Sequence, residues 1–90
     1  MSVRVHIPTP LRPNAGGQAI VEVDANTVGE SLARLVEIHP AMGGKLFENG
    51  NLRRFVNIYV NDEDIRYLEN LETQTKKDDE IAIIPAVAGG

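Results

Sequence analysis

Residues 55–61, Phe-Val-Asn-Ile-Tyr-Val-Asn, restrict the fold more than any other part of the chain. Successive side chains of a strand point to opposite faces. Val56, Ile58 and Val60 therefore share one face, and Phe55, Asn57, Tyr59 and Asn61 share the other. A strand with one wholly apolar face has to be covered by a second layer. The same period of two recurs near the start, where Val3, Val5 and Ile7 alternate with Arg4 and His6. Pro8 and Pro10 end that strand, because proline has no amide to give to a ladder. Residues 11–17 read as a loop, with Pro13-Asn14 and Gly16-Gly17 as turn signals. Residues 18–23 predict a second strand with Val21 and Val23 inward and Glu22 outward. The first two strands then form an antiparallel hairpin with a wide connection.

The second layer is supplied by residues 27–39. Thr27-Val28-Gly29-Glu30 fits a capping box, in which the threonine hydroxyl takes the N3 amide and the glutamate reaches back. Val28, Leu32, Leu35 and Val36 then form one apolar helical stripe. Glu30 and Arg34 are spaced as an i,i+4 ion pair, and Pro40 stops the helix near His39. Residues 41–47 predict a short second helix and 48–51 a polar loop. Residues 61–64 read as a turn, 65–67 as a short returning strand, and Leu68 and Leu71 as anchors of a single helical turn. Residues 76–80 are a charged turn, and Ile81-Ala82-Ile83-Ile84-Pro85 is the last strand. A hairpin, a helix and further strands imply an α+β fold: a mixed sheet of about five strands with one main helix across one face. The first and last strands, each with a Val/Ile face, belong near its middle.

Composition narrows the function. The chain has 90 residues, 42% hydrophobic, and a formal net charge of −4. That acidity argues against nucleic acid or an anionic membrane as the main partner. The absence of cysteine removes thiol nucleophiles and thiolate metal sites. No signal-peptide pattern and no apolar run near the ~20 residues of a membrane helix is found, so a cytoplasmic protein is expected. His6 and His39 lack metal-ligand spacing. Asp62-Glu63-Asp64 lacks the glycine and distant glutamate of a calcium loop. Gly16-Gly17 has no following Lys-Ser/Thr for phosphate, and Arg53-Arg54 reads as a solvated basic pair. No serine, histidine and acid are arranged as a triad. Nothing points to intrinsic catalysis.

What remains is Pro85-Ala86-Val87-Ala88-Gly89-Gly90. We read residues 1–85 as one domain and 86–90 as a flexible tail. Nothing in that tail is bulkier than valine, and its last two residues carry no side chain. Five extended residues reach roughly 16 Å. Such a segment suits a narrow slot in another protein, which makes the Gly90 carboxylate the candidate reactive group.

The strand order together with Ile7-Pro8-Thr9, Leu11-Arg12-Pro13, Gly16-Gly17-Gln18, the run from Arg54 to Asp64, and Ile84 through Gly90 resembles the ThiS/MoaD family of ubiquitin-like sulfur carriers. The resemblance spans essentially the whole chain, though no role is read from residues 30–51. It implies a β-grasp fold and a protein cosubstrate rather than an enzyme. It also implies that a ubiquitin-activating-type enzyme, holding ATP and Mg²⁺, adenylates Gly90. A sulfur donor then displaces AMP and leaves a thiocarboxylate. Gly89, Ala88, Val87 and Ala86 serve as the thin lead. In the branch serving cysteine biosynthesis, the sulfur passes to a pyridoxal-phosphate-dependent cysteine synthase and a peptidase releases the product. This chain itself is expected to bind none of those cofactors. The family docks through the open sheet face, which implicates Phe55, Tyr59 and Ile84. The alternatives are the small subunit of a molybdopterin synthase, a thiamin-pathway carrier, and a ubiquitin-like modifier joined to lysines.

Overall fold

The computed structural model describes residues 2–85. β1 (Ser2–His6) and β2 (Ile20–Asp24) form the expected antiparallel hairpin, with Val3 opposite Val23 and Val5 opposite Val21. α1 (Val28–Ile38) follows, then a 3₁₀ turn, Pro40–Met42, and the single turn α2 (Gly43–Leu46). β3 (Phe47–Glu48) and β4 (Asn51–Leu52) form a separate two-stranded ribbon. β5 (Val56–Val60) and β6 (Glu63–Asp64) are followed by two 3₁₀ turns, Ile65–Tyr67 and Asn70–Glu72, and by β7 (Glu80–Pro85). The main sheet runs β2-β1-β7-β5-β6. β1 and β7 are parallel and the other neighbours antiparallel. The first and last strands are therefore interior, and the mixed five-stranded sheet is as expected.

One side of that sheet is the core. Val28, Leu32 and Leu35 of α1 are fully buried in one cluster with Val3, Val5, Val21, Val23, Val56, Ile58, Val60, Ile81 and Ile83. The period-two and helical patterns thus bury each other. Val36 is only partly covered.

The cap of α1 departs from the ideal box. Thr27 Oγ1 accepts from the Glu30 amide at 3.1 Å. The Glu30 carboxylate accepts from the amide of Asn26, not Thr27, at 2.9 Å. Glu30 is thereby occupied, and Arg34 pairs with Glu37 at 2.9 Å in place of the expected partner. The helix start is also pinned by the segment after Asn70–Glu72: the Val28 amide donates to Thr73 O, and the Thr75 amide to Asn26 O, both at 2.9 Å. The approach is close at Gly29, where a Cβ would lie 3.1 Å from Leu71 O and the neighbour would have to give by a few tenths of an ångström.

Three connections differ from the sequence expectation. Thr9–Ala15 winds into a 3₁₀ helix rather than a loop. Pro10 and Pro13 have φ already set for such a turn, and Gly16 closes it at φ 65°. The polar loop expected at 48–51 is a hairpin. Asn49 and Gly50 take φ of 54° and 81°, the left-handed pair a tight two-residue turn demands. Asn61 and Asp62 do the same at 48° and 72°. The return strand therefore begins at once, at Glu63–Asp64, and the expected strand at 65–67 is a 3₁₀ turn. Asp64 causes that change, because its carboxylate accepts the Arg66 amide at 2.9 Å and caps the turn.

Among the described residues, no helix is long and apolar enough to cross a membrane.

Candidate docking face and tail root

With α1 on one side, the other side of the sheet is open, and strand register orders its side chains into rows. Ile20 pairs with His6, His6 with Ala82, and Ala82 with Tyr59. These four make one line across β2, β1, β7 and β5. The next row is Glu22, Arg4 and Glu80. On the other side of the first row, Ile84 stands opposite Asn57. The face is therefore charged where β7 begins and apolar where β7 ends.

Ile84 is 44% exposed, whereas its neighbours Ile83 and Ile81 are buried. Tyr59 is half-buried on the same open side. Ile84 and Tyr59 are diagonal neighbours, a relation that brings long side chains within reach of each other. Phe55 needs a correction. β5 begins at Val56, so Phe55 lies in the turn before the strand rather than on its outer face. The Val56 amide donates to Arg53 O at 3.1 Å, which turns the chain there instead of continuing the ladder. Phe55 is nevertheless 55% exposed and directly precedes Val56, the cross-strand partner of Pro85. Sequence reading missed Ile20, which is 47% exposed in the central row. Its signal was available: it is out of phase with the inward Val21 and Val23.

Gly90, Gly89, Ala88, Val87 and Ala86 lie outside the described residues. What the structure does place is the root from which they follow. Pro85 pairs with Val56 at the apolar end of the open face.

Both histidines have ordinary structural partners. His6 Nε2 lies 2.6 Å from Glu80 Oε1, and His39 Nε2 lies 3.2 Å from Gln18 Oε1. A shallow depression lined by His6, Asn61, Asp62, Glu80 and Ala82 occupies the charged end of the open face. Asp64 is buried, and its carboxylate is gripped by Arg66, with Nη2 at 2.6 Å. The Arg66 side chain and amide together hold the Asp64 carboxyl below the usual carboxylate range. Asp64 is thus a structural cap rather than part of a cation site. Among the described residues, no group of His, Asp and Glu is placed to hold a metal ion.

The chain's relatives agree with this architecture. The sequence model of the ThiS family matches residues 5–90. The sulfur carrier protein CysO of Mycobacterium tuberculosis (strain H37Rv) is 44% identical over 93 residues, covering 100% of both chains. Small archaeal modifier protein 1 of Haloferax volcanii is 37% identical over 79 residues, covering 84% of this chain and 86% of that one. Among solved structures, a chain from the Amycolatopsis orientalis BexX/CysO complex superimposes with a TM-score of 0.90 at 43% identity. It covers 98% of this chain and 99% of that one. The fold is accordingly the ubiquitin-like β-grasp.

Proposed function

This chain belongs to the ThiS family of sulfur carriers, protein cosubstrates rather than enzymes, and on that footing we propose that its Gly90 carboxylate is the group that carries sulfur. The observation that supports this reading best is the full-length similarity to CysO, with the family match continuing through residue 90.

A carboxylate is a poor acyl donor, and adenylation repairs that. A ubiquitin-activating-type partner binds ATP and Mg²⁺. One Gly90 carboxylate oxygen attacks the α-phosphorus and pyrophosphate leaves. A sulfide equivalent then attacks the acyl carbon, AMP departs, and Gly90 ends as a thiocarboxylate. The slender lead of Ala86, Val87, Ala88 and Gly89 lets the terminus lie close to the nucleotide without steric conflict. Phe55, Tyr59 and Ile84 provide apolar contact area beside the root of that lead. In the cysteine branch, which we favour, a pyridoxal-phosphate-dependent synthase takes the sulfur and a peptidase releases cysteine. All of these cofactors sit on the partners, and the reaction belongs to the cytoplasm.

A second reading has its own support. Similarity to a small archaeal modifier protein suits a carrier whose adenylate is also passed to lysine amines. Both fates start from the same acyl-adenylate.

The test is reconstitution. Purified chain, adenylating partner, ATP, Mg²⁺ and sulfide are incubated, and intact mass is read. The expected gain is the mass difference between sulfur and oxygen. Deleting Gly90, or adding one residue after it, abolishes the gain. Sulfur acceptance by a chain with a blocked terminus refutes the assignment.

A further inference from the structure

The two ends of the sheet differ in charge. Asp62, Glu63, Asp78, Asp79 and Glu80 crowd the end at which β7 begins. At the end where β7 stops, the charged neighbours are chiefly cations: Arg12, Arg53 and Arg54. Arg12 Nε donates to Ile7 O at 3.0 Å, one residue past the β1 position that pairs with Ala82. Arg53 Nε donates to Gly44 O at 2.9 Å, and its guanidinium lies 3.6 Å from Glu48. Both of these guanidinium groups hold the fold together. Arg54 does not. It is exposed, and among the described residues it makes no hydrogen bond or ion pair. Yet it stands two residues before Val56, the partner of Pro85, and next to exposed Phe55. In a protein of net charge −4, an unengaged cation is thus set beside the tail root.

We infer that Arg54 is a docking residue that meets an acidic rim around the channel through which the adenylating partner admits the tail. This rests on the carrier reading above. Five residues separate Pro85 from the reacting carboxylate, a reach of roughly 16 Å when extended. A cation at the root of a threaded tail is therefore held away from the nucleotide phosphates and against the protein surface at the channel mouth. Rim charges act mainly on encounter rate and on salt dependence. Arg54 accordingly orients an otherwise acidic chain so that its tail end, and not its acidic end, arrives first.

The test compares wild type, Arg54→Glu, Arg54→Gln and Lys77→Glu in the reconstituted activation with the adenylating partner. Lys77 is an exposed cation at the opposite end of β7, so Lys77→Glu makes the same change in net charge at the wrong place. Arg54→Glu is expected to raise KM for the chain by about five- to ten-fold with kcat unchanged, and Arg54→Gln by less. The difference should collapse when salt is raised to roughly 0.5 M, where charges are screened over a few ångströms. Lys77→Glu should stay within about two-fold of wild type. Binding of chains lacking Gly89 and Gly90 is measured as well. The Arg54→Glu penalty should persist there, because the rim and not the chain's own carboxylate is its partner. A penalty that vanishes on truncation, an equal effect of Lys77→Glu, or an Arg54→Glu KM equal to wild type overturns the assignment while leaving the carrier reading intact. Wild-type chain that gains no sulfur overturns the carrier reading, and Arg54's role with it.

Discussion

Ile83 and Ile84 are adjacent in sequence and occupy opposite sides of β7, so truncating each in turn separates stability from docking. Ile83 is 2% exposed and pairs with Ile58, itself 1% exposed. Ile→Ala removes about three methylene equivalents, worth roughly 2.4 kcal/mol of lost burial at ~0.8 kcal/mol each. The void left in a packed core raises the expected loss for Ile83→Ala to about 3–4 kcal/mol. Ile84 is 44% exposed and stands opposite Asn57 on the open face. About half the burial is lost there and no closed cavity forms, so Ile84→Ala should cost about 1 kcal/mol. Urea denaturation at constant m reads both values. For a domain of this size, 1 kcal/mol corresponds to roughly 4–8 °C in Tm. The fall in Tm for Ile83→Ala should thus be about three to four times that for Ile84→Ala. In the activation assay the order reverses: folded Ile84→Ala shows a raised KM for the adenylating partner. Equal stability losses, or a larger one at Ile84, would refute the assignment of faces. Normal KM for Ile84→Ala would remove that residue from the docking surface.

Asp64→Asn should lower Tm at neutral pH, because it weakens the grip of Arg66 and the cap of the Ile65–Tyr67 turn. The folded-state pKa of Asp64 lies below its ordinary value. Its contribution is therefore complete above about pH 4, the unfolded carboxylate range, and fades as pH falls through the lower folded pKa. The gap in Tm between wild type and variant should narrow in acid, and a constant gap in a pH series would contradict this. Gly29→Ala tests the packing of α1 on Asn70–Glu72. Alanine favours a helix by about 1 kcal/mol over glycine, but its Cβ would meet the Leu71 carbonyl at 3.1 Å. A net fall in Tm is expected, and a rise would show that the backbone there yields easily.

The layers of the fold were legible because burial and period coincide. Val56, Ile58, Val60, Val3, Val5, Val21 and Val23 face the core as their alternation requires. Thr27 caps α1 as its sequence context demands. What escaped was set by short-range geometry that hydrophobic periodicity does not carry. Asn49-Gly50 is a strong hairpin signal, but the strands it joins are two residues each, too short to show alternation. Asn61 and Asp62 took the left-handed conformation without a glycine, which placed β6 two residues earlier than expected. Thr9–Ala15 carries prolines that read equally well as loop or as 3₁₀ turn.

The docking face divides in the same way. Ile84 and the buried set against it follow from alternation. Phe55 falls outside β5 because the Arg53 carbonyl closes a turn there, a tertiary detail. Arg54 looked like an ordinary solvated cation until pairing of Val56 with Pro85 put it beside the tail root.

The central claim concerns one atom group, so the most direct measurement is the mass of the C-terminal peptide from protein purified out of its own cell. The account predicts that a fraction of Gly90 carries sulfur in place of one carboxylate oxygen, or a cysteine awaiting release. Gly90 found only as an unmodified carboxylate, or only in isopeptide linkage to lysine, would contradict it.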